Sequence, residues 1–197
     1  MKVEIIQAPT DQDWLRVRNN ALFTQRKSSN KVPSSELKKK FLIAEHSPIK
    51  DIYVTWAWYD IPYYIAMHIR THWLGIIPFI SSQRNDIQKD YDRTKAPQDA
   101  PVNYRASANM LEILHISRAR LCLNASPETT KAWKLFLTKL YNYEPELVQL
   151  CVKPCVYRNG ICPEVFKPCG YNNTNHYRIV QKAYNKYIGF TKEDNLT

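Results

Sequence analysis

His68 and His72 stand four residues apart in the apolar stretch PYYIAMHIRTHWLGIIPFISSQR, residues 62–84. Helical spacing would put both imidazoles on one face, in the manner of two zinc ligands. A helical zinc hydrolase also needs a glutamate beside the first histidine, and Ile69 occupies that position. The remaining readings are a half-buried histidine pair satisfied by backbone, or the wall of a ligand pocket. The same stretch ends in Ser81, Ser82 and Arg84, whose hydroxyls and guanidinium fork match phosphate oxygens.

A second cluster, His115, Arg118 and Arg120, lies in ANMLEILHISRARLCL. Read as a helix, this segment is apolar around most of its circumference, so its cations need partners or a ligand. Glu112, one turn before His115, is the bland partner. A third cluster is Cys151, Cys155, Cys162 and Cys169, with three, six and six residues between neighbours. Thiolates at short spacing suit structural zinc, although no tight knuckle is present; free thiols are the alternative. Cys122 reads as core. No G-x-S-x-G, no cysteine beside a usable histidine and no glycine-rich phosphate loop occurs. Any hard chemistry would therefore belong to a cofactor.

The elements that must position these groups follow from pattern. Val3 to Ile6 reads as a strand. A helix capped by Asp11 spans 12–24, and a second, capped by Ser34 or Ser35, runs to Ala44. Ile52 to Trp58 alternates as a strand. Pro62 opens the histidine helix, which Gly75 and Pro78 close. Residues 79–84 form a short strand or loop, and 85–105 a long loop. Ser107 caps a helix over 108–123. Ser126 caps the next, with Pro127 at its first position, ending near Tyr143. A short helix over 144–152, the cysteine- and proline-rich segment 151–170, a helix over 177–187 and a frayed tail after Phe190 complete the chain.

The 197 residues suit one domain, here 1–170, with a C-terminal helix and tail over 171–197. The formal charge of +10 favours an anionic partner. Arg26, Lys27, Lys31, Lys38, Lys39 and Lys40 oppose only Glu36. Without interleaved aromatics this run reads as a solvated face rather than a nucleic-acid patch. No signal peptide and no membrane span is visible, which points to the cytoplasm, a host's if the gene is a phage's. An odd cysteine count argues for reduced thiols or a metal.

In their order, these residues resemble the flavin-dependent thymidylate synthases, and more closely their divergent, phage-like branch. The match runs from about His46 to Ala125. His46 falls on a flavin-contacting histidine and His68 on a nucleotide-contacting glutamine. Thr71, His72 and Trp73 fall on an arginine-histidine-arginine triplet. After one inserted residue, Ser82 and Arg84 fall on the pair that holds the substrate phosphate. Arg93 aligns with another substrate arginine. Asn109 matches a flavin-contacting asparagine, His115 replaces a second one, and Arg120 falls on the arginine that binds the uracil ring. Thr71, Trp73 and Leu111 replace family arginines that contact flavin or nucleotide, and Arg70 lies one position from the triplet.

The resemblance implies an α/β (α+β) subunit, a sheet flanked by long helices, assembled as a homotetramer. It implies FAD reduced by NADPH, and transfer of a one-carbon unit from methylenetetrahydrofolate to C5 of dUMP or a related pyrimidine nucleotide, giving dTMP. Arg120 would be catalytic; His68, Ser82, Arg84 and Arg93 would bind substrate with it; His46, His72, Asn109 and His115 would bind cofactor. The lost arginines motivate altered chemistry at C5, such as hydroxymethylation, or nucleotide binding without turnover. A non-enzymatic basic protein that binds nucleic acid is the expectation from a different class.

Overall fold

A computed structural model describes residues 1–88 and 92–190. Its centre is a four-stranded antiparallel sheet of order β1-β2-β4-β3. The strands are β1 (Lys2–Gln7), β2 (Tyr53–Pro62), β3 (Ile76–Ile80) and β4 (Pro101–Asn109). β2 and β4 pair Val54 with Ala108, Trp56 with Ala106 and Trp58 with Tyr104. Period-two alternation sends all six side chains to one buried face. Small Ala106 and Ala108, opposite Trp56 and Val54, leave room for a covering helix. That helix is α5 (Pro127–Leu140), which lays Trp133 and Phe136 on the sheet. Trp56 lies 4.4 Å from Phe136 and 6.0 Å from Trp133, centroid to centroid. The result is an aromatic layer of the kind that dominates core energetics.

The remaining helices close over this layer and its rim. They are α1 (Asp11–Phe23), α2 (Ser35–Ile43), α3 (Tyr63–Arg70), α4 (Met110–Arg120), α6 (Pro145–Leu150), α7 (Pro154–Tyr157) and α8 (Asn175–Ile188). Two 3₁₀ turns cover Ser47–Asp51 and Tyr171–Asn173. The mixed α+β class and the sheet flanked by helices agree with expectation. Among the described residues no helix is long and apolar enough to cross a membrane.

Several boundaries differ from the sequence reading. The expected loop 85–105 ends early, because β4 begins at Pro101, and the first residue of a strand is a position that proline tolerates. Val102, Tyr104, Ala106 and Ala108 alternate inward there, but the polar residues between them hide the pattern. Ser107 is therefore a strand residue bonded to Thr55 (2.7 Å), not a helix cap. The cap of α4 is Asn109, whose side chain accepts from the Glu112 amide at 2.9 Å. Thr10, not Asp11, caps α1. β2 continues to Pro62 through an irregularity after Trp58, where Asp60 takes φ 54°. Pro62 is thus a flanking residue and α3 starts at Tyr63. Ser34, Ser126 and Pro127 act as expected. The tail expected to fray lies outside the described residues.

Candidate active site

The last turn of α4 aims Arg120 at the C-terminal end of α3. Its Nε donates to His72 Nε2 at 3.0 Å. Its Nη2 donates to the His68 carbonyl at 2.5 Å and to Thr71 Oγ1 at 2.9 Å. The His68 carbonyl is open to this contact because α3 stops at Arg70 and leaves its late carbonyls without helical partners; it also accepts from Thr71 Oγ1 at 2.7 Å. Among the described residues, the Nη1 amino group of Arg120 makes no hydrogen bond, so one fork of the guanidinium stays open.

His72 lies beyond the helix end and does not share a helical face with His68, which bonds Thr129 Oγ1 through Nδ1 at 2.8 Å. The histidines are satisfied by different elements, which disfavours a metal pair. Burial first, and the Arg120 charge second, lower His72 to about 4. A neutral ring accepting from Arg120 at Nε2 carries its proton on Nδ1, facing Glu112 Oε1 at 3.8 Å. Glu112 is buried, and desolvation raises it to about 7. The contact is therefore not an ion pair at neutral pH.

Glu112 continues the chain to His115, Oε2 to Nδ1 at 3.5 Å, as its one-turn spacing suggested. His115 is largely exposed and faces Glu45 at 3.6 Å. Glu45 also pairs with Arg118, which stacks 3.5 Å from the Tyr157 ring centroid. The Arg118 partner is a residue 73 positions away, which no local pattern announces. Burial raises the Glu45 carboxyl, yet the Arg118 contacts outweigh it and hold the group below its usual range.

Asn109, Glu112 and His115 share a groove of about 270 Å³ with Lys50, Leu74, Gly75 and Leu111. Gly75 lines it at φ 72°, and its carbonyl accepts from the Asn109 amide at 2.9 Å. A Cβ there would sit 2.4 Å from Asn109 Nδ2, so only glycine fits. The donor set suits an anionic or heteroaromatic group. The volume is below the usual range for a drug-sized ligand, so the groove by itself is too small to enclose a whole dinucleotide.

The other expected residues lie elsewhere. His46 is exposed ahead of the first 3₁₀ turn, 5.8 Å from Phe41, and adjoins Glu45 in sequence. Ser82 lines a second cavity of about 270 Å³ with Asp60, Ser81, Gln88 and Asn103. Arg84 donates to Asp86 in a two-pronged exposed pair and, through its amide, to Ser82 Oγ at 3.2 Å. Arg93 is exposed, its amide donating to Asn85. No hydrogen bond among the described residues joins Ser82, Arg84 or Arg93 to the Arg120 cluster. The sequence reading missed Thr71, Thr129 and Glu45 as partners; the tertiary fold alone brings them in.

Of the four predicted zinc ligands, Cys151 is buried with Sγ donating to the Leu147 carbonyl. Cys155, Cys162 and Cys169 instead gather around one small cavity with Cys122, which is not a plain core residue.

No family model matches this sequence, and no curated protein matches it. Its fold does have solved counterparts. A Helicobacter pylori flavin-dependent thymidylate synthase complexed with FAD and dUMP superposes with TM-score 0.63 at 12% identity, over 78% of this chain and 100% of that one. A second Helicobacter pylori structure with the same ligands gives 0.58 at 11%, over 75% and 99%. A UMP/dUMP methylase from Streptomyces cacaoi, bound with 5-Br dUMP, gives 0.56 at 12%, over 78% and 97%. At such identity the likeness establishes architecture, and the architecture of this chain is that of the flavin-dependent thymidylate synthases.

Proposed function

We propose that this chain is a thymidylate-synthase-like enzyme acting at C5 of dUMP or a related pyrimidine nucleotide, with FAD as cofactor. The carrying observation is Arg120. Three of its donors are locked by His72, His68 and Thr71, and Nη1 is left for a ligand. A guanidinium fixed in that way is preorganised to polarise a pyrimidine carbonyl as charge develops on the ring. The depressed pKa of His72 suits the task, since a neutral acceptor holds Arg120 without competing positive charge. The Ser82 and Arg84 hydrogen-bond donors would take the nucleotide phosphate. The exposed Arg84–Asp86 pair is weak enough for a phosphate to displace.

FAD would supply the reducing electrons, renewed by NADPH, with methylenetetrahydrofolate as one-carbon donor. Asn109 and His115 would hold part of it in the groove, with Lys50 supplying positive charge. The groove's small size supports a homotetramer in which another copy completes the site. Localisation in the cytoplasm, a host's for a phage gene, is part of this reading.

A second reading keeps the fold and substrate but changes the product to a hydroxymethylated pyrimidine. Thr71 favours it: the position aligned with a family arginine is a neutral acceptor for Arg120, and Trp73 beside it is 76% exposed. The nucleic-acid reading is weaker. Lys38 sits 5.1 Å from the Trp14 ring and Lys39 4.7 Å from the Tyr187 ring, so part of the basic run is spent internally.

Titration of the purified protein with FAD, with and without dUMP, followed by turnover with NADPH and methylenetetrahydrofolate and mass analysis of the nucleotide, tests the proposal. Bound flavin, dTMP as product and a fall of roughly 10²-fold or more in Arg120→Ala are expected. A hydroxymethyl product selects the second reading. No flavin binding and no nucleotide-induced rise in Tm would overturn both.

A further inference from the structure

Four of the five cysteines converge although they come from three separate parts of the chain. Cys122 follows α4, Cys155 lies in α7, and Cys162 and Cys169 lie in the segment between α7 and the second 3₁₀ turn. All four line one cavity with Lys153, Pro154, Pro163 and Tyr171. Its volume is only about 10 Å³. That is about the room of a single water-sized sphere, too little for any organic ligand. All five cysteines are free thiols.

A second observation is independent of the thiols. Residues 158–170 carry no helix or strand, and their large apolar side chains point outward: Ile161, Val165 and Phe166 are 68%, 82% and 95% exposed. A 13-residue connection without secondary structure or buried apolar anchors has little to offset its ordering entropy. What fixes it at present is sparse. Asn124 Nδ2 donates to the Lys167 carbonyl at 2.7 Å, and Asn172 Nδ2 to the Gly160 carbonyl at 2.9 Å. Asn172 itself lines the cavity of the four cysteines.

We propose that Cys122, Cys155, Cys162 and Cys169 form a structural tetrathiolate site for a zinc ion, which staples the 158–170 loop to the end of α4. Binding replaces four S–H bonds with four Zn–S bonds and releases four protons to solvent, with no change of oxidation state. The loaded site carries a net charge of −2, and the Lys153 ammonium on the cavity wall offsets part of it. Among the described residues no three ligating side chains already stand at coordination distance. Closure therefore falls to Cys162 and Cys169, the two on the irregular segment. Cys151 is excluded because it lines a different cavity and its Sγ donates to the Leu147 carbonyl.

Metal content of the full-length protein, purified under reducing conditions, tests the site, together with cobalt substitution after chelation. One zinc per chain is expected, with the visible and thiolate charge-transfer bands of tetrahedral cobalt tetrathiolate. Cys151→Ser should retain the full stoichiometry, and Cys162→Ser and Cys169→Ser, both on the surface loop, should lose it. Chelation should render the 158–170 segment sensitive to protease. Metal-free protein with five titratable thiols and no cobalt spectrum overturns the proposal. Mass loss marking disulfides among these cysteines, or stoichiometry that depends on Cys151, overturns it equally. Should the loop variants fail to fold, the wild-type metal and cobalt measurements decide alone.

Discussion

The aromatic layer beneath the sheet and the polar chain along α4 are built on opposite physics, although α4 and α5 pack side by side. Trp56, Trp58, Trp133 and Phe136 are fully buried and meet ring to ring, and among the described residues the Trp56 and Trp58 indole N–H groups make no hydrogen bond. Apart from the Trp133 Nε1 bond to Ser117, the contacts there scale with the apolar area they bury. The chain from Arg120 through His72, Glu112, His115 and Glu45 to Arg118 runs half-buried, and every link depends on a hydrogen or a charge being in place. An apolar layer fails gradually as volume is lost. A polar chain fails when one member leaves another stranded.

The largest effect should come from the layer. Trp133→Ala removes the indole that touches both Trp56 and Trp58, and its bond from Nε1 to Ser117 Oγ at 2.9 Å. A loss of about 3–5 kcal/mol in urea unfolding is expected, with Trp133→Phe losing less. A loss below about 1 kcal/mol would show that the layer repacks and is not the rigid half of the comparison.

Stranding should come next. Glu45→Ala leaves Arg118 half-buried against Tyr157, and its Nε has no partner among the described residues. The expected cost is on the order of 1–3 kcal/mol, reduced from fully buried cases by the exposure of Glu45. The double variant Glu45→Ala with Arg118→Met should be more stable than Glu45→Ala alone. Additive losses in that cycle would mean that the two side chains act separately.

The smallest and most diagnostic effect concerns pH. Glu144 is buried and accepts from Trp14 Nε1 at 3.1 Å; burial nonetheless raises it from 4.5 to about 7. A folded pKa above the unfolded value contributes stability below about 4.5 that is lost as pH rises through about 7. Glu144→Gln should flatten that slope, worth on the order of 2 kcal/mol across the interval, in denaturation followed from pH 4 to 8. His72 acts in the opposite sense, its lowered pKa removing stability as pH falls from 6.5 through about 4. An unchanged slope in Glu144→Gln would show that Glu144 is already solvated in the folded state.

Much of the candidate site was visible as residue types before any fold was known. His72 and Arg120 stood out as costly polar groups in apolar segments, and they meet at 3.0 Å. The Glu112–His115 contact followed from one helical turn. What failed was whatever depended on where a helix begins or ends. His72 was placed on the face of α3, yet it lies one residue past the cap. Asn109 was placed on α4, yet it is the cap itself and closes on Gly75. The β4 strand was hidden because its outward residues are polar and its entry is a proline.

The sequence by itself determined the local choices: the caps at Ser34 and Ser126, the helix-starting Pro127, the alternation of β2, and the glycine that ends α8 at φ 77°. These are contests between neighbouring residues, decided within a turn or a strand. Only the tertiary structure decided the partners: Glu45 for Arg118, Thr129 for His68, Glu144 for Trp14, and Cys122 rather than Cys151 beside the other thiols. Those pairings join residues 33 to 130 positions apart in hydrogen bonds and cavity walls, as in Trp14 with Glu144. Sequence spacing carries no record of them, because they exist only after apolar burial has packed α4 and α5 against one sheet.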